Sequence, residues 1–152
     1  MSGSFRTTAL FGALILLPTY AFIGAHDASP HDGRRSLTTW DSVFSVEQAA
    51  RGQAFYARSC QRCHTATLTG ADEAAPLAGG TFMSNWNGQT LFTLHDRIIS
   101  SMPSDTPGVY KKPDVADVVA YILSFNGFPA GKNALPVADD SLKAIAFTST
   151  KP

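Results

Sequence analysis

The amino-acid sequence predicts an all-α fold of three main helices joined by long loops. Apolar residues recur at helical spacing in three segments, and no segment alternates apolar and polar residues as a strand would. Hydrophobic residues make up 44% of the 152 residues and charged residues only 16%, so the chain can bury a core. Three short helices form a thin core for so much loop, which indicates that another group fills the centre.

The first helix is predicted over residues 46–59. Ser45 can accept a hydrogen bond from the amide of Gln48, and the Gln48 side chain can reach back, which together form a capping box. The second helix is predicted over residues 91–101, with Thr90 as its cap and an apolar stripe along one face.

The third helix is predicted to begin at Pro113, because proline suits the first helical position. It is expected to stop at Asn126 and Gly127, where glycine favours a helix end. Residues 60–80 and 104–112 are predicted loops. The side chains expected to face inward from the third helix are Val115, Val118, Val119, Ile122 and Phe125.

Residues 1–25 have the order of a secretory signal peptide. Arg6 is the only charged side chain before Asp27, and an apolar run with small residues at its end follows. A membrane anchor retained over residues 9–25 is the alternative, although that run is short and Pro18 interrupts it. Both interpretations predict that the rest of the chain is exported.

The exported part is expected to contain an arm at residues 26–44, a domain at 45–127 and a tail at 128–152 that packs on the domain. Trp40 and Phe44 are expected to anchor the arm to the core. Twelve Lys and Arg residues balance twelve Asp and Glu residues. This balance argues against nucleic acid or an anionic membrane surface as the main partner.

Cys60, Cys63 and the following His64 form a C-x-x-C-H motif, which is typical of covalent haem attachment. Two thiols on one helical turn can add across the two vinyl groups at one edge of the porphyrin. The next residue is then carried beneath the ring, where its imidazole can bind iron. One such motif predicts one haem, and the large macrocycle supplies the missing core.

The two cysteines allow three other interpretations. A thioredoxin-type redox pair needs a preceding strand in a sheet, which the sequence does not predict. A zinc site would need four ligands, and Cys63 next to His64, with His95 added, would strain a tetrahedron. A plain disulfide remains an alternative in an exported chain.

Beyond the haem motif, the sequence resembles a class I cytochrome c over residues 45–127. The resemblance rests on Gly52 and Tyr56 before the motif and on the segment 117–122 in the third helix. It implies that the first and third helices cross at Gly52, with Tyr121 packed across the gap. It also implies that the carbonyl of Pro76 accepts a hydrogen bond from the haem histidine.

The resemblance further implies a methionine as the second axial ligand, in the loop after the second helix. Met102 stands there, whereas Met83 precedes the helix and is expected to lie in the core; filling apolar gaps is the competing role for both. His95 is expected at the surface or at an edge. For Trp86 the resemblance implies contact with a haem propionate, and plain packing is the alternative.

A narrower resemblance is to small periplasmic cytochromes c associated with quinoprotein alcohol dehydrogenases. It rests on Trp40, Trp86 and the segments 117–123 and 127–131. It implies a periplasmic location and redox partners such as a dehydrogenase carrying pyrroloquinoline quinone and a terminal oxidase.

We therefore expect a one-electron carrier rather than an enzyme, with haem c bound through Cys60 and Cys63 and iron ligated by His64 and Met102. Histidine and methionine together favour the ferrous state and raise the reduction potential. The alternative is a haem enzyme or enzyme subunit with an open or displaceable sixth iron position, acting on peroxide or a sulfur compound. That alternative requires Met102 to be unbound.

Overall fold

A computed structural model describes residues 36–151 together with Met1 and Gly3. The predicted signal peptide at residues 1–25 and most of the predicted arm therefore fall outside the described residues. Within the described part, every helix is too short or too polar to cross a lipid bilayer.

The prediction of an all-α fold is confirmed, with the addition of two strands of two residues each. The three predicted main helices correspond to the first, fourth and fifth of six helices in the described residues. The elements in chain order are β1 (Leu37–Thr38), α1 (Val46–Ser59), α2 (Gln61–His64), α3 (Gly79–Trp86), α4 (Leu91–Ser101), α5 (Lys112–Phe125), α6 (Asp139–Lys143) and β2 (Ile145–Ala146).

Helix α3 lies in a region for which no helix was predicted. It begins with Gly79 and Gly80, which are poor helix formers, and Ala78 offers no side chain to cap it. Its stability comes from tertiary packing, because Phe82 is buried in the core and Met83 packs against that core. The sequence of α3 thus gives little local indication of a helix, although the folded helix is well packed.

Only one of the two hydrogen bonds of the predicted capping box forms at the start of α1. The Ser45 hydroxyl accepts a hydrogen bond from the Gln48 amide at 3.2 Å. The Gln48 side chain does not reach back; it donates to the carbonyl of Leu135 at 3.2 Å and accepts from the Leu135 amide at 2.6 Å. These two hydrogen bonds satisfy the buried side-chain amide of Gln48 and fix the C-terminal tail to α1.

Helices α1 and α5 cross at Gly52, as predicted. A Cβ atom on Gly52 would lie 1.8 Å from the carbonyl oxygen of Asp117 and 3.0 Å from the Cβ of Tyr121, so the backbones touch. The rings of Tyr56 and Tyr121 pack beside the crossing with centroids 5.2 Å apart. The exposed Arg51 of α1 also joins the two helices at the crossing, through two hydrogen bonds to Asp117 of α5 at 2.8 and 2.9 Å.

Helix α5 buries the predicted apolar residues except the last one. Val115, Val119 and Ile122 are fully buried, but Phe125 is 46% exposed, so its predicted inward position is wrong. Phe125 is the final residue of the helix, and its ring packs edge-on against Tyr121, at 6.1 Å, on the outer side. The last buried side chain of the helix is that of Leu123, two residues before its end.

The end of the arm is anchored to the C-terminal tail. Strands β1 and β2 pair in parallel, and the Trp40 indole donates to the carbonyl of Thr148 at 2.9 Å. The Trp40 ring packs on Phe128 at 4.8 Å, and Phe44 is fully buried, so the predicted anchoring by both residues is confirmed. The tail contributes these buried side chains to the core: Phe128, Leu135, Leu142, Ile145 and Phe147.

The helix crossing predicts that Gly52→Ala destabilises the protein, because the new methyl group would overlap the backbone of α5. We expect a loss of about 1–3 kcal/mol in the free energy of unfolding, measured by chemical denaturation. Gly80→Ala is the control, since a Cβ there meets nothing within 4 Å. Gly80→Ala should be neutral or stabilising by about 0.5–1 kcal/mol, and an equal loss in both variants would contradict the close approach.

Candidate haem site

The haem-attachment motif is built by the end of α1 and the single turn of α2. The amide of Cys60 still donates to the carbonyl of Tyr56 at 2.9 Å, and the amides of Cys63 and His64 donate to the carbonyl of Cys60 at 3.2 and 3.0 Å. Both thiols and the imidazole therefore share one helical turn. Cys60 is half-buried, Cys63 is exposed, and both are free thiols.

The structure argues against a thioredoxin-type redox pair and against a zinc site at the two cysteines. Burial, with a smaller contribution from Cys63, raises the pKa of Cys60 to about 11. The lowered pKa that activates the cysteine of a redox pair is therefore not found at Cys60. Within the described residues, no group of three or more His, Cys, Asp or Glu side chains is placed to hold a metal ion.

The imidazole of His64 is oriented by one hydrogen bond. Its Nδ1 lies 2.8 Å from the carbonyl oxygen of Ala75. Because a carbonyl can only accept, Nδ1 carries the hydrogen and Nε2 keeps its lone pair. This is the tautomer that a metal-binding histidine needs, and the acceptor raises the basicity of the ring.

The acceptor was predicted to be Pro76, and the structure places it one residue earlier, at Ala75. A proline restricts the residue before it to extended dihedral angles, which fixes the direction of the preceding carbonyl. Pro76 therefore marks the correct loop, while the carbonyl that it orients belongs to Ala75.

Gly70 makes the contact between His64 and this loop sterically possible, and the sequence analysis did not single it out. It has a φ of +73°, and a Cβ there would lie 2.1 Å from the carbonyl oxygen of Ala74. The Gly70 amide also donates to the carbonyl of His64 at 3.2 Å. A glycine in a predicted loop signals a turn, but only the folded chain shows how closely the loop returns.

Tyr56 supports the same turn from the core. It is 1% exposed, and its hydroxyl donates to the carbonyl of Thr65, directly after His64, at 2.7 Å. Burial raises the pKa of Tyr56, so the hydroxyl stays protonated as a donor. Besides packing at the helix crossing, this side chain holds the end of α2 in place.

The two methionines within residues 36–151 occupy different environments. Met83 packs against the core, as expected. Met102 follows the last residue of α4, its amide donates to the carbonyl of Ile98 at 3.0 Å, and its side chain is half-buried. It is not among the side chains that pack on the core of residues 36–151.

Trp86 and His95 differ in their exposure and in their hydrogen bonds. Trp86 is half-buried and packs on Phe82 with ring centroids 6.2 Å apart; its indole N–H has no hydrogen-bond partner within residues 36–151. His95, expected near the surface, is only 1% exposed, and its Nε2–H donates to the carbonyl of Lys112 at 2.9 Å. That expectation is wrong because α6 and β2 of the tail cover α4.

These residues fit a c-type haem. The turn offers two free thiols, and His64 keeps an Nε2 lone pair while its Nδ1–H is fixed. Both requirements of the motif, paired thiols and an iron-ligating imidazole, are met on one turn.

The family described as "Cytochrome C oxidase, cbb3-type, subunit III" matches residues 47–122, half of the 152-residue chain. The chain belongs to this family and is a class I cytochrome c. It therefore carries covalently bound haem c with its iron. The matched residues lie within the predicted domain at residues 45–127.

Among solved structures, the crystal structure of the sulfane dehydrogenase SoxCD from Paracoccus pantotrophus is similar to this chain. The two are 20% identical with a TM-score of 0.46, and the match covers 70% of this chain and 61% of that chain. The chain thus spans less than two thirds of the SoxCD chain that it matches. No curated protein matches the chain.

The return of the loop onto His64 predicts that Gly70→Ala displaces the Ala75 carbonyl. Gly88→Ala is the matched control, because Gly88 has a φ of +82° but a Cβ there meets nothing within 4 Å. We expect Gly70→Ala to cost about 1–3 kcal/mol more in the free energy of unfolding than the control. The reduction potential should also rise, since a weaker acceptor makes the imidazole less basic and stabilises ferric iron less.

Chemical denaturation and a potentiometric titration of both variants measure these effects. Equal losses of stability with unchanged potentials would show that the contact between Gly70 and the loop does not orient His64.

Proposed function

We propose that this protein is a one-electron carrier in which Cys60 and Cys63 form thioethers to the haem and His64 and Met102 bind the iron from opposite faces. The observation that carries the proposal is the hydrogen bond from His64 Nδ1 to Ala75, which leaves Nε2 free on the same turn as two free thiols. The bound haem supplies one-electron chemistry, since its iron changes between ferric and ferrous states.

The environment of Met102 supports its assignment as the second axial ligand. Its backbone is fixed to Ile98 at the end of α4, whereas its thioether is half-buried and not packed on the core of the described residues. Met83, by contrast, is engaged in that core. With both axial positions filled, no substrate can bind the iron, so a carrier is favoured over an enzyme.

The surface around the attachment turn supports brief contacts with other redox proteins. Cys63 is exposed, so a haem edge attached there would lie near the surface. Arg62 in the turn pairs with Asp105 at 3.2 Å, so the charge of this cation is matched by an anion. Such a surface provides little electrostatic steering and suits small, weak interfaces.

The finer proposal for the partners is a quinoprotein dehydrogenase carrying pyrroloquinoline quinone as donor and a terminal oxidase as acceptor. It is supported by the sequence resemblance around Trp40, Trp86 and residues 117–123.

We propose a periplasmic location, with export through residues 1–25 or attachment to the membrane through residues 9–25, supported by the signal-like order of that segment. The Trp86 indole N–H, which is without a partner in residues 36–151, is proposed to meet a haem propionate.

The attachment residues are tested by Cys60→Ala, Cys63→Ala and the double variant, matured in an export-competent host. The wild type should retain haem on a denaturing gel stained for haem, each single variant should retain less, and the double variant none. Ser59→Ala is the control, because it changes the neighbouring residue without removing a thiol. Retention of covalent haem by the double variant would refute the assignment.

The axial assignment is tested by comparing Met102→Ala with Met83→Ala. The ferric wild type should be low-spin and show the sulfur-to-iron charge-transfer band. Met102→Ala should lose that band, lower the reduction potential and bind cyanide or azide readily, while the haem remains covalently held. Met83→Ala should keep the band and lose only packing, about 2 kcal/mol in the free energy of unfolding.

Absorption and magnetic spectra of both redox states distinguish the outcomes. Loss of the band in Met83→Ala alone would mean that Met83 is the ligand. A high-spin ferric wild type would favour the alternative function, a haem enzyme with an open sixth position.

A further inference from the structure

The loop between α4 and α5, residues 102–111, is tied to the haem-attachment segment by Tyr110. The Tyr110 hydroxyl donates to the carbonyl of Ser59 at 3.2 Å, and Ser59 directly precedes Cys60. The Tyr110 ring packs edge-on against Phe55 of α1, with centroids 5.2 Å apart and an interplanar angle of 80°. One side chain therefore joins the loop that begins at Met102 to the segment that carries the two thiols.

A second contact joins the same two segments but is weaker. Arg62 and Asp105 form an ion pair at 3.2 Å, with 81% and 61% of their side chains exposed. Ion pairs that are so exposed contribute little, because water and salt screen them. Tyr110 is half-buried, and burial raises its pKa, so its hydroxyl remains a neutral donor at physiological pH.

The rest of the loop has few contacts that would hold it closed. The end of the loop next to α5 is fixed by the hydrogen bond that His95 donates to the carbonyl of Lys112 at 2.9 Å. Its tip is ordered by a turn hydrogen bond from the amide of Thr106 to the carbonyl of Pro103 at 3.0 Å. The neighbour of Tyr110, Val109, is 59% exposed. Tyr110 is thus the main contact between the second half of the loop and the segment before the thiols, whereas the tip contacts the attachment turn only through the exposed pair of Arg62 and Asp105.

We propose that Tyr110 is a positioning residue that keeps Met102 on the iron. It does so by holding the methionine loop against the segment that presents His64, so that the two axial ligands keep a fixed separation. The inference rests on the proposed role of Met102 as ligand. Removing the hydroxyl should increase the fraction of molecules with an open loop by about two- to tenfold, the effect of one ordinary hydrogen bond.

The test uses the ferric full-length holoprotein and imidazole as a competing iron ligand. Imidazole replaces the methionine, and loss of the sulfur-to-iron charge-transfer band measures its apparent dissociation constant. Tyr110→Phe should bind imidazole about two- to tenfold more tightly than the wild type, and Tyr110→Leu, which also loses the ring contact with Phe55, more tightly still.

Tyr121→Phe and Tyr121→Leu are the matched controls. The Tyr121 hydroxyl has no hydrogen-bond partner in the described residues, and its ring packs on Tyr56 at the helix crossing instead. Both controls should bind imidazole as the wild type does, although Tyr121→Leu should lower the unfolding temperature. A merely structural role of Tyr110 would likewise lower the unfolding temperature without changing imidazole affinity.

The outcomes separate this inference from the proposed function. If the wild type shows the band and the Tyr110 variants bind imidazole no better than the Tyr121 variants, the inference is wrong and the Met102 assignment stands. If the wild type lacks the band, the Met102 assignment fails and the inference fails with it. Arg62→Gln provides a second variant at the same junction, and its effect should be smaller than that of Tyr110→Phe.

Discussion

Gly52 lies against the carbonyl of Asp117, and this backbone contact between α1 and α5 constrains the rest of the molecule. This contact fixes the separation of the two helices, and the packed rings of Tyr56 and Tyr121 beside it help to fix their crossing direction. The end of α1 presents Cys60, and Tyr56 on the same helix reaches past the attachment turn to Thr65. The placement of the thiols and the imidazole therefore follows from a contact two turns away, in the core.

The tail supplies much of the core that three main helices could not. A continuous series of aromatic contacts runs from Trp40 in the arm through Phe128 and Phe147 in the tail to Phe82 in α3, with centroid distances of 4.8, 5.4 and 5.7 Å. Aromatic pairs at these distances add stability beyond the area that they bury. The arm, the tail and α3 are thus stabilised together, and α4, which is followed by Met102, packs against α6 and β2 of the tail.

The two sides of the proposed iron site are held with different strength. On the histidine side, Ala75 accepts from His64 at 2.8 Å, and the buried Tyr56 fixes the end of the turn at 2.7 Å. On the methionine side, an exposed loop is attached mainly through Tyr110, at 3.2 Å. Ligand exchange at the iron is therefore expected on the methionine side, where fewer contacts must be broken.

The sequence by itself determined the features that depend on a few neighbouring residues: the caps at Ser45 and Thr90 and the chemistry of the C-x-x-C-H motif. Only the tertiary structure decided the rest. Gln48 pairs with a residue 87 positions away, and His95 is buried by the tail. The carbonyl that orients the haem histidine belongs to Ala75 because the fold of its loop selects it. Capping and turn formation act over one helical turn, whereas burial and hydrogen-bond partners depend on distant segments that meet only in the folded chain.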